Sequence, residues 1–321
     1  MSEMPSQTAS IGNTKRELIM NISRRKFFKY CIGSAASLGL APALLPKLVK
    51  ALENPGVVPN IIWIEGASCS GCSVSLANLI GDCSEYGPTD FPDLLFNYMN
   101  ASFAKTFMTA AGDHAVESLR AAQQTDYILV VEGGVPTVFN GMTCTLFSEN
   151  GVDVTMLDAV NELAAGAQAV VCVGTCSSYG GIPATGENLT GIKSVSECTG
   201  IPTINLPGCP AHPDWVAATI AKVLCGEEIV LDQTDNRPVD LYHRTVHYTC
   251  PRRPLYEKGH FATAIGQEGK CFYELGCRGP YTIADCSARG WNNGFNYCIQ
   301  AGVPCVGCAE KAFPGDQLIK H

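Results

Sequence analysis

The stretch IIWIEGASCSGCSVSLANLI, residues 61–80, decides the fold. Residues 61–64 form an apolar, β-branched run too short for a helix, a loop carrying Cys69 and Cys72 follows, and residues 73–80 have helical character. The same order recurs along the chain. Residues 127–131 (YILVV), 169–173 (AVVCV) and 203–206 (TINL) read as strands, and most are closely followed by Gly or Pro. Helices are predicted over residues 113–123, 155–165 and 213–225. The strands are continuously apolar, which implies a parallel sheet covered on both faces. Residues 56–226 are therefore predicted to form an α/β, flavodoxin-like, doubly wound domain. From residue 227 the alternation stops, and Gly, Pro, Cys and aromatic residues dominate. Such a stretch buries little apolar surface by itself, so residues 227–321 are predicted to be a small, irregular domain organised by covalent or metal staples.

The chain has 321 residues, 46% of them hydrophobic and 16% charged, enough for a core and for two domains. Its 22 basic and 30 acidic side chains exclude nucleic acid as a partner, since tracking phosphates requires clustered Lys and Arg. The extreme count is 17 cysteines, which must be disulfides or metal ligands.

Residues 23–29 read SRRKFFK, and a weakly hydrophobic stretch over residues 30–45 stops at Pro46. The paired Arg24 and Arg25 ahead of an apolar segment too short to span a bilayer resemble a twin-arginine signal, removed after Ala51. Residues 1–51 are read as that signal, which predicts a periplasmic protein exported already folded. Cysteines that travel occupied by metal need not become disulfides in an oxidising compartment. No later stretch has eighteen uninterrupted apolar residues and the C-terminus is polar, so no membrane anchor is expected in the mature chain.

Cys69 and Cys72 follow the first predicted strand, Cys176 (VGTCSSYGG) the third, and Cys209 (LPGCP) the fourth. In an open parallel sheet, ligands bind beyond the carboxyl ends of the strands, so these four thiols are expected to meet there. Four thiolates are the complement of one cubane iron–sulfur cluster, whereas the C-x-x-C pair alone would equally suit zinc or a redox dithiol. Gly71, Gly174 and Gly208 are expected to let backbone approach the cluster. Glu132, in VVEGG, is read either as a carboxylate supporting the site or on a proton path, or as a structural residue.

His247 and Cys250 in HYTCP, with Cys271 and Cys277 in GKCFYELGC, form a second set of one imidazole and three thiols. An imidazole in place of a thiolate makes a cluster less negative and tends to raise its potential, which suits a site near solvent. Cys286, Cys298, Cys305 and Cys308 form the third set, the last two in VPCVGCAE. Cys31 leaves with the signal, and Cys83, Cys144, Cys172, Cys198 and Cys225 fit no set. His114, His212, His243, His260 and His321 have no comparable context.

The ordered motifs SCSGCSVSL, VVEGGVP, VGTCSSYGGIPA, LPGCPAHPDW, TVHYTCPR, CFYELGCRGP, ADCSARGWNNG and VPCVGC resemble the small subunit of the nickel-iron hydrogenases over nearly the whole mature chain. The resemblance implies a proximal 4Fe–4S cluster on Cys69, Cys72, Cys176 and Cys209, and a distal one on His247, Cys250, Cys271 and Cys277. A medial cluster would be held by Cys286, Cys298, Cys305 and Cys308. Many family members have proline in place of Cys298 and carry a three-iron medial cluster. The fourth thiolate here, with WNNGFNYCIQ and CSVSLAN, looks more like the nickel-iron-selenium branch, whose medial cluster is a cubane. The medial site would be 3Fe–4S if Cys298 did not ligate.

The resemblance further implies a partner, the hydrogenase large subunit, which holds the nickel-iron site that splits dihydrogen. This chain would relay the electrons to a periplasmic cytochrome or a membrane electron acceptor, and the acidic composition suits a basic cytochrome. A related iron–sulfur subunit of respiratory complex I is disfavoured, because it has adjacent cysteines where Cys69 and Cys72 are separated and lacks the second domain. A disulfide-stapled secreted protein is disfavoured by the cubane spacings, and a cytoplasmic hydrogen sensor by the signal.

Overall fold

The structure, a computed structural model, describes residues 60–79, 100–224, 226–292 and 294–315. The export signal with Arg24, Arg25 and Cys31, and also Cys83, Cys225 and His321, lie outside these residues.

Strand β1 (Asn60–Glu65) leads into helix α1 (Gly71–Ala77). Strand β2 (Ala101–Ala104), helix α2 (Asp113–Gln123) and strand β3 (Tyr127–Glu132) follow. A two-stranded antiparallel hairpin of β4 (Thr145–Glu149) and β5 (Val152–Thr155) precedes helix α3 (Met156–Gly166). Thr155 caps that helix by accepting the Asp158 N–H at 3.1 Å. Then come β6 (Ala169–Val173), α4 (Thr175–Tyr179), α5 (Val195–Thr199), β7 (Ile204–Leu206) and α6 (Pro213–Leu224).

The main sheet runs β2-β1-β3-β6-β7, with every neighbouring pair parallel. Counted by chain order within the sheet, this is the 2-1-3-4-5 order of the flavodoxin-like doubly wound fold. The chain reverses direction across the sheet between β1 and β3, and a crevice opens at their carboxyl ends.

Alternate residues of each strand feed two cores. Ile62, Ile64, Leu129 and Val131 pack with Leu119 of α2 and Val160 and Leu163 of α3. Ile61, Trp63, Ile128 and Val130 pack on the opposite face with Leu76 of α1 and Trp215 and Ile220 of α6. That second core continues without a break into Tyr242, Val246, Phe272 and Tyr297 of the cysteine-rich segment.

The cysteine-rich segment has only short elements among the described residues. These are α7 (Arg253–Glu257), α8 (Cys286–Arg289) and single turns of 3₁₀ helix. It is tied to α6 through Trp215, whose indole N–H donates to Asp285 at 3.0 Å and whose ring meets Tyr242 and Trp291 at 5.1 and 6.0 Å. Arg289 bridges the same seam, pairing with Asp285 at 2.6 Å and Asp214 at 2.9 Å.

Candidate metal centre

The first thiol set gathers at the carboxyl edge of β1, β6 and β7. The Glu132 carboxylate at the end of β3 accepts the N–H groups of Cys72 and Ser73, both at 3.0 Å, and the hydroxyls of Ser73 and Ser68 at 2.5 and 2.9 Å. A negative group at the first turn of α1 satisfies donors that a helix of this length leaves open. The Ala211 N–H in turn points at the Cys72 sulfur from 3.4 Å.

Burial first, then the nearby Glu132 charge, pushes the Cys72 thiol well up, with Cys176 and Cys209 adding to it. Burial also pushes Cys176 up to about 12, assisted by Cys209 and Cys69, and Cys209 feels Cys69 in the same way. Each of the four sulfurs thus lies within electrostatic reach of others in its set.

Glycine shapes the space between them. A Cβ on Gly174 would stand 2.5 Å from the Cys72 sulfur, one on Gly71 3.0 Å from that of Cys69, and one on Gly181 3.0 Å from that of Cys176. Gly174 also has φ +91°, a conformation that favours glycine. Gly208 departs from expectation. Its free side faces the backbone of Pro210 and Ala211 and the ring of Trp215, so it serves packing.

The third set lines one wall of a groove of about 1360 Å³ between α1, α6 and the cysteine-rich segment. Burial pushes Cys286 up to about 12 and Cys305 up to about 11, with Cys298 contributing to both. Cys308 is raised by burial, then by Cys286, Cys305 and Cys298. Cys298, at the exposed edge of the groove, therefore stands with the other three.

The second set encloses a small recess lined by His247, Cys250, Cys271 and Cys277. Burial and then Cys250 with Cys271 raise the Cys277 thiol, while the Gly279 and Cys305 N–H groups oppose the shift. Burial, followed by Arg253, lowers His247 from its ordinary value and favours the neutral imidazole needed of a ligand. The buried Tyr297 hydroxyl donates to the Cys250 sulfur at 3.6 Å.

The sets adjoin one another. The Cys209 N–H acts electrostatically on the Cys308 thiol and the Cys305 N–H on the Cys277 thiol, and the Arg278 N–H, next to Cys277, donates to the Cys305 carbonyl at 2.7 Å. Thr175 strengthens the first link by donating to the Cys308 carbonyl while accepting the Gly208 N–H at 2.9 Å. Sets one, three and two therefore follow in that spatial order.

The donor chemistry fits iron–sulfur clusters. All the described cysteines are free thiols, and buried sulfurs in groups of three or four ionise together only against added positive charge. Among the described residues, no three His, Cys, Asp or Glu side chains converge closely enough for a single metal ion. Ligands of a cubane stand further apart, because irons and sulfides lie between them. Cys144, Cys172 and Cys198 join none of the sets. Their electrostatic neighbours are Lys105, Thr203, and Lys193 with Glu197.

Sequence reasoning left His212 unassigned. It is buried, its Nδ1 accepts the Asp214 N–H at 3.1 Å, and its Nε2 donates to the Gly290 carbonyl at 2.9 Å. It is a neutral structural clamp between α6 and the cysteine-rich segment. Tyr297, Thr175 and Gly181 were also missed, although each lies within five residues of a recognised cysteine.

Comparison with known proteins agrees with this geometry. The family that describes the C-terminal part of the NiFe/NiFeSe hydrogenase small subunit matches residues 242–319. The family of the NADH ubiquinone oxidoreductase 20 Kd subunit matches residues 69–223. The small subunit of the periplasmic NiFeSe hydrogenase of Desulfomicrobium baculatum is 36% identical over 314 residues, covering 92% of this chain and 97% of that protein. The periplasmic NiFe hydrogenase small subunit of Solidesulfovibrio fructosivorans is 35% identical, covering 94% of this chain and 93% of that protein.

Among solved structures, the recombinant NiFeSe hydrogenase of Desulfovibrio vulgaris Hildenborough in the oxidized state aligns with a TM-score of 0.74 at 35% identity. The alignment covers 82% of this chain and 98% of that one. The match to the NADH ubiquinone oxidoreductase family spans residues 69–223, whereas the hydrogenase relatives match over more than nine-tenths of the chain. The chain belongs to the small subunits of the NiFe and NiFeSe hydrogenases.

Proposed function

We propose that this chain relays electrons between the nickel-iron site of a large subunit and an external acceptor, in a heterodimer that oxidises dihydrogen reversibly. The observation that carries the reading is the succession of three donor sets, the first joined to the third through Thr175, which accepts the Gly208 N–H and donates to the Cys308 carbonyl, and the third to the second through the Arg278 N–H on the Cys305 carbonyl. Cys69, Cys72, Cys176 and Cys209 would hold a proximal 4Fe–4S cluster, and Cys286, Cys298, Cys305 and Cys308 a medial one. His247, Cys250, Cys271 and Cys277 would hold the distal cluster. When bound, these clusters supply reversible one-electron storage.

The chain's own residues set the surroundings. Glu132 fixes the Cys69–Cys72 loop, and the Ala211 N–H and the Tyr297 hydroxyl stabilise negative charge on sulfur. His247 withholds one negative charge from its set.

The proposal includes a twin-arginine signal over residues 1–51, a flavodoxin-like domain over residues 56–226 and a cluster domain over residues 227–321. Its place of work is the periplasm, as it is for the named relatives, with a cytochrome or a membrane electron carrier as acceptor. No helix among the described residues is long and apolar enough to cross a membrane.

The test is a Cys277→Ala heterodimer. Dihydrogen-driven reduction of an external dye should fall at least ten-fold, while isotope exchange between deuterium gas and water, a reaction of the large subunit alone, continues. Undiminished dye reduction would overturn the relay.

A further inference from the structure

The whole chain and the segment that carries His247 have net charges of opposite sign. The chain carries 22 basic against 30 acidic side chains, yet residues 243–281 hold six Lys and Arg against three Glu. Two of these cations stand at the second set, Arg252 at its recess and Arg253 beside His247, and a third, Arg244, lines the adjoining groove of the third set. Arg252 is stacked over Phe272 at 4.1 Å and held by the carbonyls of Gln267 and Lys270 at 3.1 and 2.6 Å. Arg244 and Arg253 sit over the ring of Tyr248 at 4.8 and 5.9 Å.

Of Arg244, Arg252 and Arg253, the last is neutralised by Glu257 at 3.0 Å. Among the described residues, Arg244, Arg252 and Lys258 make no ion pair. Two of them are fixed by aromatic stacking, so their charge is presented in a defined place.

Tyrosines complete the surface. Tyr256 meets His247 at 4.8 Å and Tyr273 at 5.0 Å, and the Tyr273 hydroxyl lies 3.4 Å from that of Tyr281. Tyr248 and Tyr281 are 53% and 68% exposed. Arg and Tyr are the residues enriched where proteins dock, because they offer large, stiff contact area with a polar tip.

We propose that the surface around His247 docks an acidic redox protein, so that electrons pass between this chain and a partner whose contact face is negative. The proposal rests on the relay reading above, which puts the second set at the outer end. It departs from the expectation drawn from whole-chain charge, because steering and docking depend on the local field within about one Debye length, roughly 8–10 Å. A basic cytochrome would bring its lysines against Arg244, Arg252 and Lys258.

The test uses the native heterodimer with dihydrogen as reductant and three acceptors: a basic c-type cytochrome, the same cytochrome with its lysines succinylated, and an uncharged small dye. With the succinylated form, kcat/KM should fall on the order of ten-fold as salt rises from about 10 to about 200 mM. The double variant Arg244→Glu/Lys258→Glu should lower it by a similar factor at low salt, and should improve reduction of the basic form. Dye reduction should be unchanged.

A preference for the basic cytochrome, or the absence of any charge preference with normal dye reduction, would overturn the docking proposal alone. A change in self-association of the heterodimer caused by the double variant would instead make this face a contact between copies, and would also overturn it. Failure of the native heterodimer to reduce the dye would overturn the relay reading and the proposal together.

Discussion

The Glu132 carboxylate accepts the backbone N–H of Cys72 at 3.0 Å, so the end of β3 holds the cysteine loop that leaves β1. The two strands flank the point where chain direction reverses across the sheet, and Glu132 closes the crevice there. All four of its contacts are accepted hydrogen bonds at a side chain 2% exposed.

Glu132→Ala should therefore strand four donors in a site closed to solvent. Leaving even one or two unsatisfied costs about 2–4 kcal/mol. The expected result is a protein lacking the first cluster while the other two remain, read from iron content and paramagnetic resonance. Retention of all three clusters would show that Glu132 does not organise the loop.

Tyr297 donates its hydroxyl to the sulfur of Cys250, a contact that favours the more negative, reduced form of a cluster held there. Tyr297→Phe removes that donor and little else. A loss of about 0.5–1.5 kcal/mol corresponds to a potential lower by roughly 20–60 mV for one electron. Redox titration of the second-set cluster should show this shift with the other two unmoved, and an unchanged potential would exclude the role.

Cys298 stands at the exposed edge of the groove, within electrostatic reach of Cys286, Cys305 and Cys308. As a ligand it would retain the fourth iron of a cubane. Cys298→Pro should create a three-iron signal of about one per heterodimer in the oxidised enzyme and raise the medial potential. A native enzyme that already shows that signal would make Cys298 a bystander.

Much of the fold was legible in the sequence because short apolar runs closely followed by Gly or Pro mark the strands and their ends. The predicted strands at residues 61–64, 127–131 and 169–173 agree with β1, β3 and β6 to within a residue at either end, and the helices at 113–123 and 155–165 agree with α2 and α3 equally well. Strand β2 went unseen because ASFA carries almost no β-branched or aromatic signal, and its place at the sheet edge is set by pairing with β1. The β4–β5 hairpin was likewise hidden in a half-exposed segment.

The grouping of the cysteines and a supporting place for Glu132 were readable from spacing, but the partners of Glu132, His212 and Tyr297 were not. Their partners lie 60, 78 and 47 residues away, and only the folded chain brings them together. The opposite fate befell the charge argument. Whole-chain counts average away the local basic surface around His247.

Arg24 and Arg25 lie outside the described residues, yet they carry the proposal about location. A receptor site shaped for two planar guanidinium groups is not matched by ammonium groups. Changing both to Lys should leave active holoprotein in the cytoplasm, measured by fractionation and activity staining. Unchanged periplasmic activity would refute the twin-arginine route.

On the proposed reading, eleven cysteines and His247 would hold three iron–sulfur cubanes in this chain. Iron and acid-labile sulfide counted in the native heterodimer, with Mössbauer spectra to sort the iron, test it most directly. The expected result is about twelve cluster irons, all in cubanes and one cubane with a nitrogen ligand. A count of about eight or fewer, or disulfides among Cys286, Cys298, Cys305 and Cys308, would contradict it.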